Sequence, residues 1–311
     1  MKEMKLPDIF LDKEVEEYTN KEMAKIKADK DFYDVVKSLG DENKVLTNKI
    51  VRDNIAKLSE YHEDYLICKK CPGYSNCPKS NLHTKISYDF DGRFLNKHID
   101  LCEKEVEKIN YDACFYYQDF PLEYEDATTS DLTKDKTRAL AIKSYIEMEE
   151  NKLSLLYLKG DIGVGKSFLA SVFVNTYIKK HPNTKVAYIS CSDRFKELSD
   201  RDHSYNKEDK EFFKKVIDIL SSVPLLVLDG FGNELKSIFV RDAIIYPILA
   251  NRKKERLLTI ITSNYDIDTI GEMYSFNAKK IHPSAKMIVD ILKYLSNNKE
   301  IEINTVQALF K

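Results

Sequence analysis

The segment Gly160–Ser167, with the sequence GDIGVGKS, constrains the fold of this 311-residue chain more than any other feature. Two glycines separated by four residues and followed by lysine and serine form the pattern of a phosphate-binding loop. An apolar run at Leu153–Leu158 precedes it and a helical pattern at Phe168–Ile178 follows, as a strand–loop–helix unit requires. The pattern predicts a nucleoside triphosphate site for ATP with magnesium; the alternative is a glycine-rich turn with an incidental lysine.

The residues of this loop have separate expected roles. Its glycines allow a tight turn, so that backbone amides and the helix N-terminus point at phosphate oxygens. Lys166 is expected to neutralise the β- and γ-phosphates, and the Ser167 hydroxyl is expected to bind magnesium. The residues predicted to contact the nucleotide are Gly160, Asp161, Ile162, Gly163, Val164, Gly165, Lys166, Ser167 and Phe168.

Two later strands end in polar residues that suit the same site. Asp229 ends the apolar run Ser222–Asp229. It is expected to hold the magnesium, directly or through water, although a helix N-cap would explain it as well. Asn264 follows the run Leu257–Thr262 and would reach the γ-phosphate from a neighbouring strand tip, unless it is an ordinary turn residue.

Apolar runs and helical patterns alternate through the second part of the chain. Continuous apolar strands separated by helices predict an α/β fold whose parallel sheet is covered by helices on both faces. A further strand is expected at Glu300–Asn304. The predicted strands are Leu153–Leu158, Lys185–Ser190, Leu225–Leu228 and Leu257–Thr262, and the helices include Phe168–Ile178, Glu211–Leu220 and Ser237–Asn251.

The first part of the chain has a helical pattern instead. Apolar residues such as Phe32 and Val36 recur at helical spacing between about residues 12 and 65. Ile86, Tyr88 and Phe90 then alternate up to Asp91-Gly92, a dipeptide that suits a hairpin turn. We therefore expect a small, mostly helical domain with a β-hairpin at residues 1–105, a linker at 106–114 and the α/β domain at 115–311.

Four of the six cysteines are clustered, and they suggest a structural zinc site. Cys68 and Cys71 form a knuckle and Cys77 supplies a third thiolate. The fourth ligand is either Cys102, which follows the hairpin, or His83, which is nearer in sequence. Free buried cysteines are the alternative, and Cys114 and Cys191, outside the cluster, are expected in the core.

The order of four motifs resembles that of the AAA+ ATPases of the DnaC/IstB group. These motifs are the phosphate loop, the segment LLVLDGFGNE at residues 225–234, the helix beginning Phe239-Val-Arg-Asp242 and the strand ending in ITSN. Together with the cysteine-bearing front domain, they resemble the DnaI-type bacterial helicase loaders over nearly the whole chain. The resemblance implies an AAA+ fold, a front domain that grips the replicative helicase ring, and an ATPase domain that binds ATP and single-stranded DNA during primosome assembly with other initiation proteins. It also favours Cys102 as the fourth zinc ligand.

The chain departs from that family pattern at two positions. Gly230 stands where the family carries a second acid that orients the attacking water, and Glu234 is the candidate replacement. Lys286 stands where relatives carry an arginine that reaches the neighbouring subunit's nucleotide, and lysine lacks the planar fork of arginine. The candidate catalytic residues are thus Asp229, Glu234, Asn264 and Lys286. We expect weak ATPase activity, with ATP acting mainly as a conformational switch.

Composition limits the remaining possibilities only loosely. The net charge of -2 neither suggests nor excludes a nucleic-acid partner, and the chain start lacks the apolar stretch of a signal peptide or membrane span, so a cytoplasmic protein without membrane contact is expected. Candidate DNA contacts are Arg194, Phe195, Lys196, Tyr274, Phe276, Lys279 and Lys280. Two alternative functions stay open, namely a degenerate adaptor that tethers helicase to the initiation complex and an IstB-like transposition ATPase.

Overall fold

The structure, a computed structural model, describes residues 12–40, 46–79, 83–202, 206–276 and 280–307. The chain divides into two units, Met1–Ile109 and Asn110–Lys311. Each unit has a hydrophobic core of its own. No helix in the described part of the chain is long and apolar enough to cross a bilayer.

The first unit consists of helices followed by a hairpin, as the sequence predicts. Its elements are α1 (Asp12–Ala28), α2 (Lys30–Ser38), α3 (Asn48–Asp53), α4 (Ile55–Lys69), β1 (Thr84–Phe90), β2 (Leu95–Leu101) and the start of α5 (Glu103–Asp112). Strands β1 and β2 pair antiparallel from Thr84 opposite Leu101 to Phe90 opposite Leu95. In the turn between them, the Asp91 carboxylate accepts hydrogen bonds from the backbone amides of Arg93 and Phe94.

The core of this unit joins the helices to the hairpin. Phe32 on α2 is fully buried against Tyr61, His62 and Tyr65 of α4. Apolar residues of the helices and the hairpin complete the cluster, so the helical spacing identified in the sequence is the buried face. The buried members are Ile26, Phe32, Val36, Val51, Ile55, Leu58, Tyr88, Phe90 and Leu95.

The second unit is built on a parallel sheet. Within the described residues the sheet has six strands in the order β3-β5-β6-β7-β4-β8, and each neighbouring pair is parallel. The elements after α5 are β3 (Phe115–Gln118), α6 (Lys136–Glu149), β4 (Leu155–Lys159), α7 (Lys166–Lys180), β5 (Val186–Ser190), α8 (Cys191–Asp202), α9 (Lys207–Ser222), β6 (Leu225–Phe231), α10 (Tyr246–Glu255), β7 (Leu258–Ser263), α11 (Ile267–Met273), α12 (Pro283–Leu295) and β8 (Glu300–Glu302). This architecture confirms the predicted α/β fold.

The strands bury both faces because their side chains alternate between two cores. On β4, Leu155 and Tyr157 belong to one cluster, whereas Leu156 and Leu158 belong to the other. The first cluster includes helices α8–α12 and the second includes α6 and α7. Burying each aliphatic side chain contributes roughly 1.5–3 kcal/mol. The sheet is therefore held rigidly, and its strand ends are well placed to carry a site.

Three local features differ from the sequence-based expectation. Strand β3 was not expected, and the stretch taken as a linker is largely helix α5. The helix predicted at Ser237–Asn251 begins as a π-helix at Val240–Ile245 before α10 continues it. Cys114 and Cys191 are buried, as predicted.

Arg252 on α10 is a fully buried charge that joins three elements. Its guanidinium donates to the carbonyl oxygens of Leu220 and Val223 at 3.0 and 2.9 Å, beside the end of α9. It also donates to the Thr259 hydroxyl at 2.8 Å and to the Leu258 carbonyl oxygen on β7. These bonds satisfy backbone carbonyls that would otherwise be buried without donors.

We expect Arg252→Met to lower the free energy of unfolding by about 3 kcal/mol, because several buried acceptors lose their donor at once. The exposed neighbour Lys254 serves as a control, and Lys254→Met should change it by less than about 0.5 kcal/mol. Urea unfolding followed by circular dichroism measures both. Equal stability of the two variants would contradict a structural role for Arg252.

Candidate nucleotide-binding site

The phosphate loop connects the buried strand β4 to helix α7, as the sequence predicts. Asp161, Ile162 and Gly163 are exposed at its tip, so their backbone is open to a ligand. Gly165 precedes α7 with φ 92° and ψ 28°, and a Cβ there would lie 2.4 Å from Gln307 Cβ. Only glycine suits this left-handed, crowded position. The structure thus places residues 160–165 in a loop and Lys166, Ser167 and Phe168 in the first turn of α7.

Lys166 is buried, and its ammonium group bonds to neutral oxygen atoms at the base of the loop. Nζ donates to the carbonyl oxygens of Gly160 and Asp161, each at 2.8 Å, and to Asn264 Oδ1 at 2.9 Å. Burial lowers the pKa of Lys166, and the nearby Asp229 and Asp161 carboxylates oppose that effect. Because its three acceptors are neutral, these bonds leave the positive charge available to a phosphate.

Ser167 and Asp229 form the oxygen-rich side of the site. Ser167 Oγ donates to Asp229 Oδ1 at 2.8 Å, across from the lysine. Magnesium prefers oxygen ligands and typically takes one or two from protein, with phosphate and water completing its shell. A serine hydroxyl next to an aspartate carboxylate fits that requirement.

Thr262 is part of the site, although the sequence analysis did not identify it. Its hydroxyl donates to Asp229 Oδ1 and accepts from the backbone amide of Gly230 at 2.9 Å. The β6–β7 register shifts between Leu228 and Phe231, and Thr262 bridges the irregular segment. The only available sequence signal was its place on β7, two residues before Asn264.

Tyr188 and Arg138 also support the loop. Tyr188 OH donates to the Ser167 carbonyl oxygen at 3.2 Å, and Arg138, 1% exposed, donates to the Val164 carbonyl oxygen at 2.7 Å. Arg138 is further held by Asp135 and by Thr305 Oγ1 at 2.7 Å. Such long-range contacts leave no local sequence pattern.

Asn264 lies where the sequence analysis expected it, at the end of β7 beside the loop. The Gly160 amide donates to the Ser263 carbonyl oxygen at 3.2 Å, so the first residue of the loop is tied to the residue before Asn264. Besides accepting from Lys166, Asn264 donates through Nδ2 to Asn233 Oδ1 at 3.1 Å. The side chain therefore links the loop lysine to the segment after Asp229.

Glu234 is placed differently from the expectation. Its carboxylate is 2% exposed, accepts from the Gly232 amide at 2.8 Å through one oxygen, and accepts from Tyr274 OH through the other. Burial raises the pKa of Glu234, while the bonds from Tyr274 and the backbone oppose that rise. A carboxylate with both oxygens engaged in the interior is poorly placed to orient a water at the phosphate loop.

Lys286 is exposed in the first turn of α12, apart from the contacts just described. Its backbone amide bonds to the His282 carbonyl oxygen at 2.9 Å, and its side chain faces outward. An outward cation is compatible with a role towards a neighbouring subunit, which stays a prediction.

The candidate zinc ligands are free thiols in the first unit. Cys68 and Cys71 are exposed, and Cys77 and Cys102 are partly buried. Among the described residues, no three histidine, cysteine, aspartate or glutamate side chains come together as a group that would hold a metal. Lys79 Nζ instead lies 2.8 Å from Cys68 Sγ.

Backbone contacts nevertheless connect these segments. The Cys71 amide bonds to the Cys68 carbonyl oxygen at 3.1 Å, as a knuckle turn requires, and the Cys102 amide bonds to the His83 carbonyl oxygen at 2.8 Å. Hydrogen bonds from the backbone at Lys79 and His83 lower the pKa of the Cys77 thiol. The His83 ring stacks on Tyr74 at 3.8 Å between centroids.

The residues predicted to contact DNA differ in their burial and in whether their charges are paired. Phe195 and Tyr274 are buried, so their rings belong to the core and are not available for base stacking. Arg194 pairs with Asp119 at 3.0 Å and Glu197 at 2.7 Å, which offsets its charge. The exposed candidates are Lys196, Phe276 and Lys280, and Lys279 lies outside the described residues.

Comparison with known proteins shows which proteins this chain is similar to. The chain is 25% identical over 280 residues to the "Replicative helicase loader DnaI" of Bacillus subtilis (strain 168), covering 85% of this chain and 86% of that protein. A crystal structure of DnaI aligns with a TM-score of 0.51 at 29% identity, covering 61% of this chain and 98% of that chain. The "Chromosomal replication initiator protein DnaA" of Mycoplasma genitalium is 28% identical over 131 residues, covering 42% of this chain and 29% of that protein.

The expected resemblance to the DnaI-type helicase loaders is thereby confirmed. The sequence model of the IstB-like ATP binding protein family matches residues 102–296. This match covers more than half of the chain, including the phosphate loop, Asp229 and Asn264. The chain therefore belongs to the family of IstB-like ATP binding proteins.

Proposed function

We propose that this chain is an ATP-dependent loader of the replicative DNA helicase, which places the helicase ring on single-stranded DNA during primosome assembly. The observation that carries the proposal is the convergence of Lys166, Ser167, Asp229 and Asn264 at one loop. The similarity to DnaI supports it, because it extends over 85% of the chain and so includes much of the cysteine-bearing first unit.

Two features suggest that ATP acts mainly as a switch. Asn264 contacts Lys166 and Asn233. Glu234, the residue after Asn233, accepts a hydrogen bond from Tyr274 OH through its carboxylate. Arg241 donates to the Tyr274 carbonyl oxygen at 3.0 Å, just before the segment proposed to contact DNA. A γ-phosphate that draws Lys166 and Asn264 towards itself would thus alter contacts leading to that segment.

Hydrolysis is proposed to be slow. Gly230 offers no carboxylate, the Glu234 carboxylate is engaged elsewhere, and Lys286 lacks the bidentate geometry of arginine. A missing general base typically costs ~10²–10⁴ in rate. The conformation of the protein would then depend on whether ATP is bound more than on the rate of its hydrolysis.

The partners are assigned by the same proposal. The first unit would grip the helicase ring, and the second would bind single-stranded DNA through exposed groups such as Lys196, Phe276 and Lys280, with Lys279 beside them in sequence. Other primosome and initiation proteins would join the same assembly.

A second candidate is an adaptor that tethers helicase to the initiation complex, with the nucleotide as a structural ligand. The absence of an acid at Gly230 favours it. The two functions differ in whether ATP changes the affinity for helicase or DNA.

We also propose a structural zinc site formed by Cys68, Cys71, Cys77 and Cys102, with His83 as the alternative fourth ligand. All four thiols are free, Lys79 contacts Cys68 and bonds to Cys77, and His83 bonds through its backbone to Cys77 and Cys102. A closed set of thiolates stabilises a small unit and leaves no open position for a reaction.

Lys166→Ala should weaken ATP binding by at least ~10-fold, because a buried charged hydrogen-bond donor contributes about 1.5–3 kcal/mol. Lys179→Ala, at an exposed position near the end of the same helix, is the matched control and should bind as the unchanged protein does. Isothermal titration calorimetry with Mg-ATP measures both. Undiminished binding in Lys166→Ala, or no binding by the folded wild-type chain, would refute the assigned site.

The loader and adaptor functions are separated by co-purification with the replicative helicase of the same organism. A loader should bind helicase or single-stranded DNA at least ~5-fold more tightly in one nucleotide state than in the other, a coupling of about 1 kcal/mol. Equal affinities with ATP, with ADP and in Lys166→Ala would favour the adaptor. No helicase binding in any state would reject both.

Purified protein should carry about one zinc ion per chain, and Cys71→Ser should lose it, because a structural site needs its full ligand set. Cys114→Ser is the control, since Cys114 Sγ donates to the Asn110 carbonyl oxygen at 3.3 Å and a serine hydroxyl keeps that bond. Atomic emission of the metal gives the content. Absence of zinc from the wild-type protein would reject the site.

A further inference from the structure

We propose that the Asn233 side chain positions the water that attacks the γ-phosphate, replacing the acid that Gly230 lacks. This inference rests on the proposed function, since it requires ATP at the phosphate loop. It gives the slow hydrolysis a specific residue, and it moves the assignment from the buried Glu234 to its exposed neighbour.

A chain of hydrogen bonds connects Asn233 to the phosphate loop. Asn233 Oδ1 accepts from Asn264 Nδ2 at 3.1 Å, and Asn264 Oδ1 accepts from Lys166 Nζ at 2.9 Å. Lys166 and Asn264 are the two side chains expected at the γ-phosphate. Asn233 is therefore one hydrogen bond away from a group that would contact the reacting phosphate.

The Asn233 side chain also lies beside Gly230. This residue has φ +70°, and a Cβ built on it would lie 3.3 Å from Asn233 Nδ2. The Asn233 carboxamide would thus be in direct contact with the first carbon of a side chain at position 230. A turn holds it there, because the Asn233 amide bonds to the Gly230 carbonyl oxygen at 3.0 Å and the Gly230 amide bonds to Thr262 Oγ1 at 2.9 Å.

The carboxamide of Asn233 has the chemistry that positioning a water requires. Among the residues that the structure describes, Asn233 Nδ2 has no hydrogen-bond partner, and its exposed side chain is open to solvent. A carboxamide both donates and accepts, so it can bond to a water and to a phosphate oxygen together. It holds the water at the correct angle but takes no proton from it.

The reaction balances without a protein base. The water oxygen forms a bond to the γ-phosphorus, and the bond from that phosphorus to the β–γ bridging oxygen breaks with its electron pair leaving on ADP. The proton of the water passes to a γ-phosphate oxygen, and the products are ADP and inorganic phosphate. Asn233 would contribute orientation of the water and no proton transfer, so the rate would stay below that of an enzyme with a carboxylate at this place.

The test compares Asn233→Ala and Asn233→Asp with the wild-type chain. Asn233→Ala should lower kcat for ATP roughly 10- to 100-fold, as loss of orientation does, with KM and the calorimetric Kd for ATP unchanged within about 2-fold. Asn233→Asp should retain turnover and show an additional decline at acid pH relative to the wild type, because a carboxylate titrates and a carboxamide does not. Asn96→Ala is the matched control, since Asn96 is exposed on the hairpin and bonds to Asp89 at 3.3 Å.

Four results would overturn the inference. For Asn233→Ala they are an unchanged kcat, or a loss of ATP affinity as large as the loss of kcat. For Asn233→Asp the contrary result is the same pH profile as the wild type. The fourth is a wild-type turnover no faster than that of Lys166→Ala. In the last case continued ATP binding by the wild type would leave the proposed function intact. Absence of ATP binding would instead reject the function itself, so the two failures are distinguishable.

Discussion

The hydrogen bonds that hold the Lys166 ammonium between the phosphate loop and Asn264 are the interaction on which the site depends. They join the end of β4 to the end of β7 through a single buried cation. Since every hydrogen-bond acceptor of Lys166 is a neutral oxygen, no direct ion pair neutralises its charge, and burial strengthens its attraction for an anion. A carboxylate in place of Asn264 would neutralise the lysine and weaken that attraction.

The strand order makes this arrangement possible. β4 lies next to β7 and β7 lies next to β6. The loop and Asn264 therefore follow two adjacent strands, and Asp229 lies near the end of the third, at the same edge of a parallel sheet. Lys166 and Asn264, which lie about a hundred positions apart in sequence, therefore meet because their strands are neighbours in the sheet. The buried alternation of the strands on both faces keeps their ends in place, so packing in the two cores indirectly sets the geometry of the site.

Much of this was predictable from the sequence because the relevant signals are local. The apolar runs at β4–β7, the glycine–lysine–serine loop and the polar residues at strand ends each occupy a short window. Strand β3 was missed because Phe115–Gln118 is short and only partly buried at the sheet edge. The burial of Glu234 could not be predicted, because its partner Tyr274 lies 40 residues away and no local pattern indicates such a bond. The buried positions of Arg252 and Arg138 could not be predicted either, because both bond to carbonyl oxygens that are distant in sequence.

Glycine at position 230, directly after Asp229, has a physical consequence beyond the lack of a carboxylate there. A carboxylate at that position would lie close to Asp229, and two neighbouring carboxylates repel unless a cation or proton intervenes. Glycine removes that repulsion and lets the segment turn with φ +70°, which brings Asn233 against Asn264. In the segment after Asp229, the Asn233 side chain bonds to Asn264 and the Glu234 carboxylate bonds to Tyr274 OH, so two consecutive residues join the end of β7 to Tyr274. Under the proposed function, a γ-phosphate that moved Asn264 would act on Tyr274 through this path, and ligand occupancy would then set the conformation.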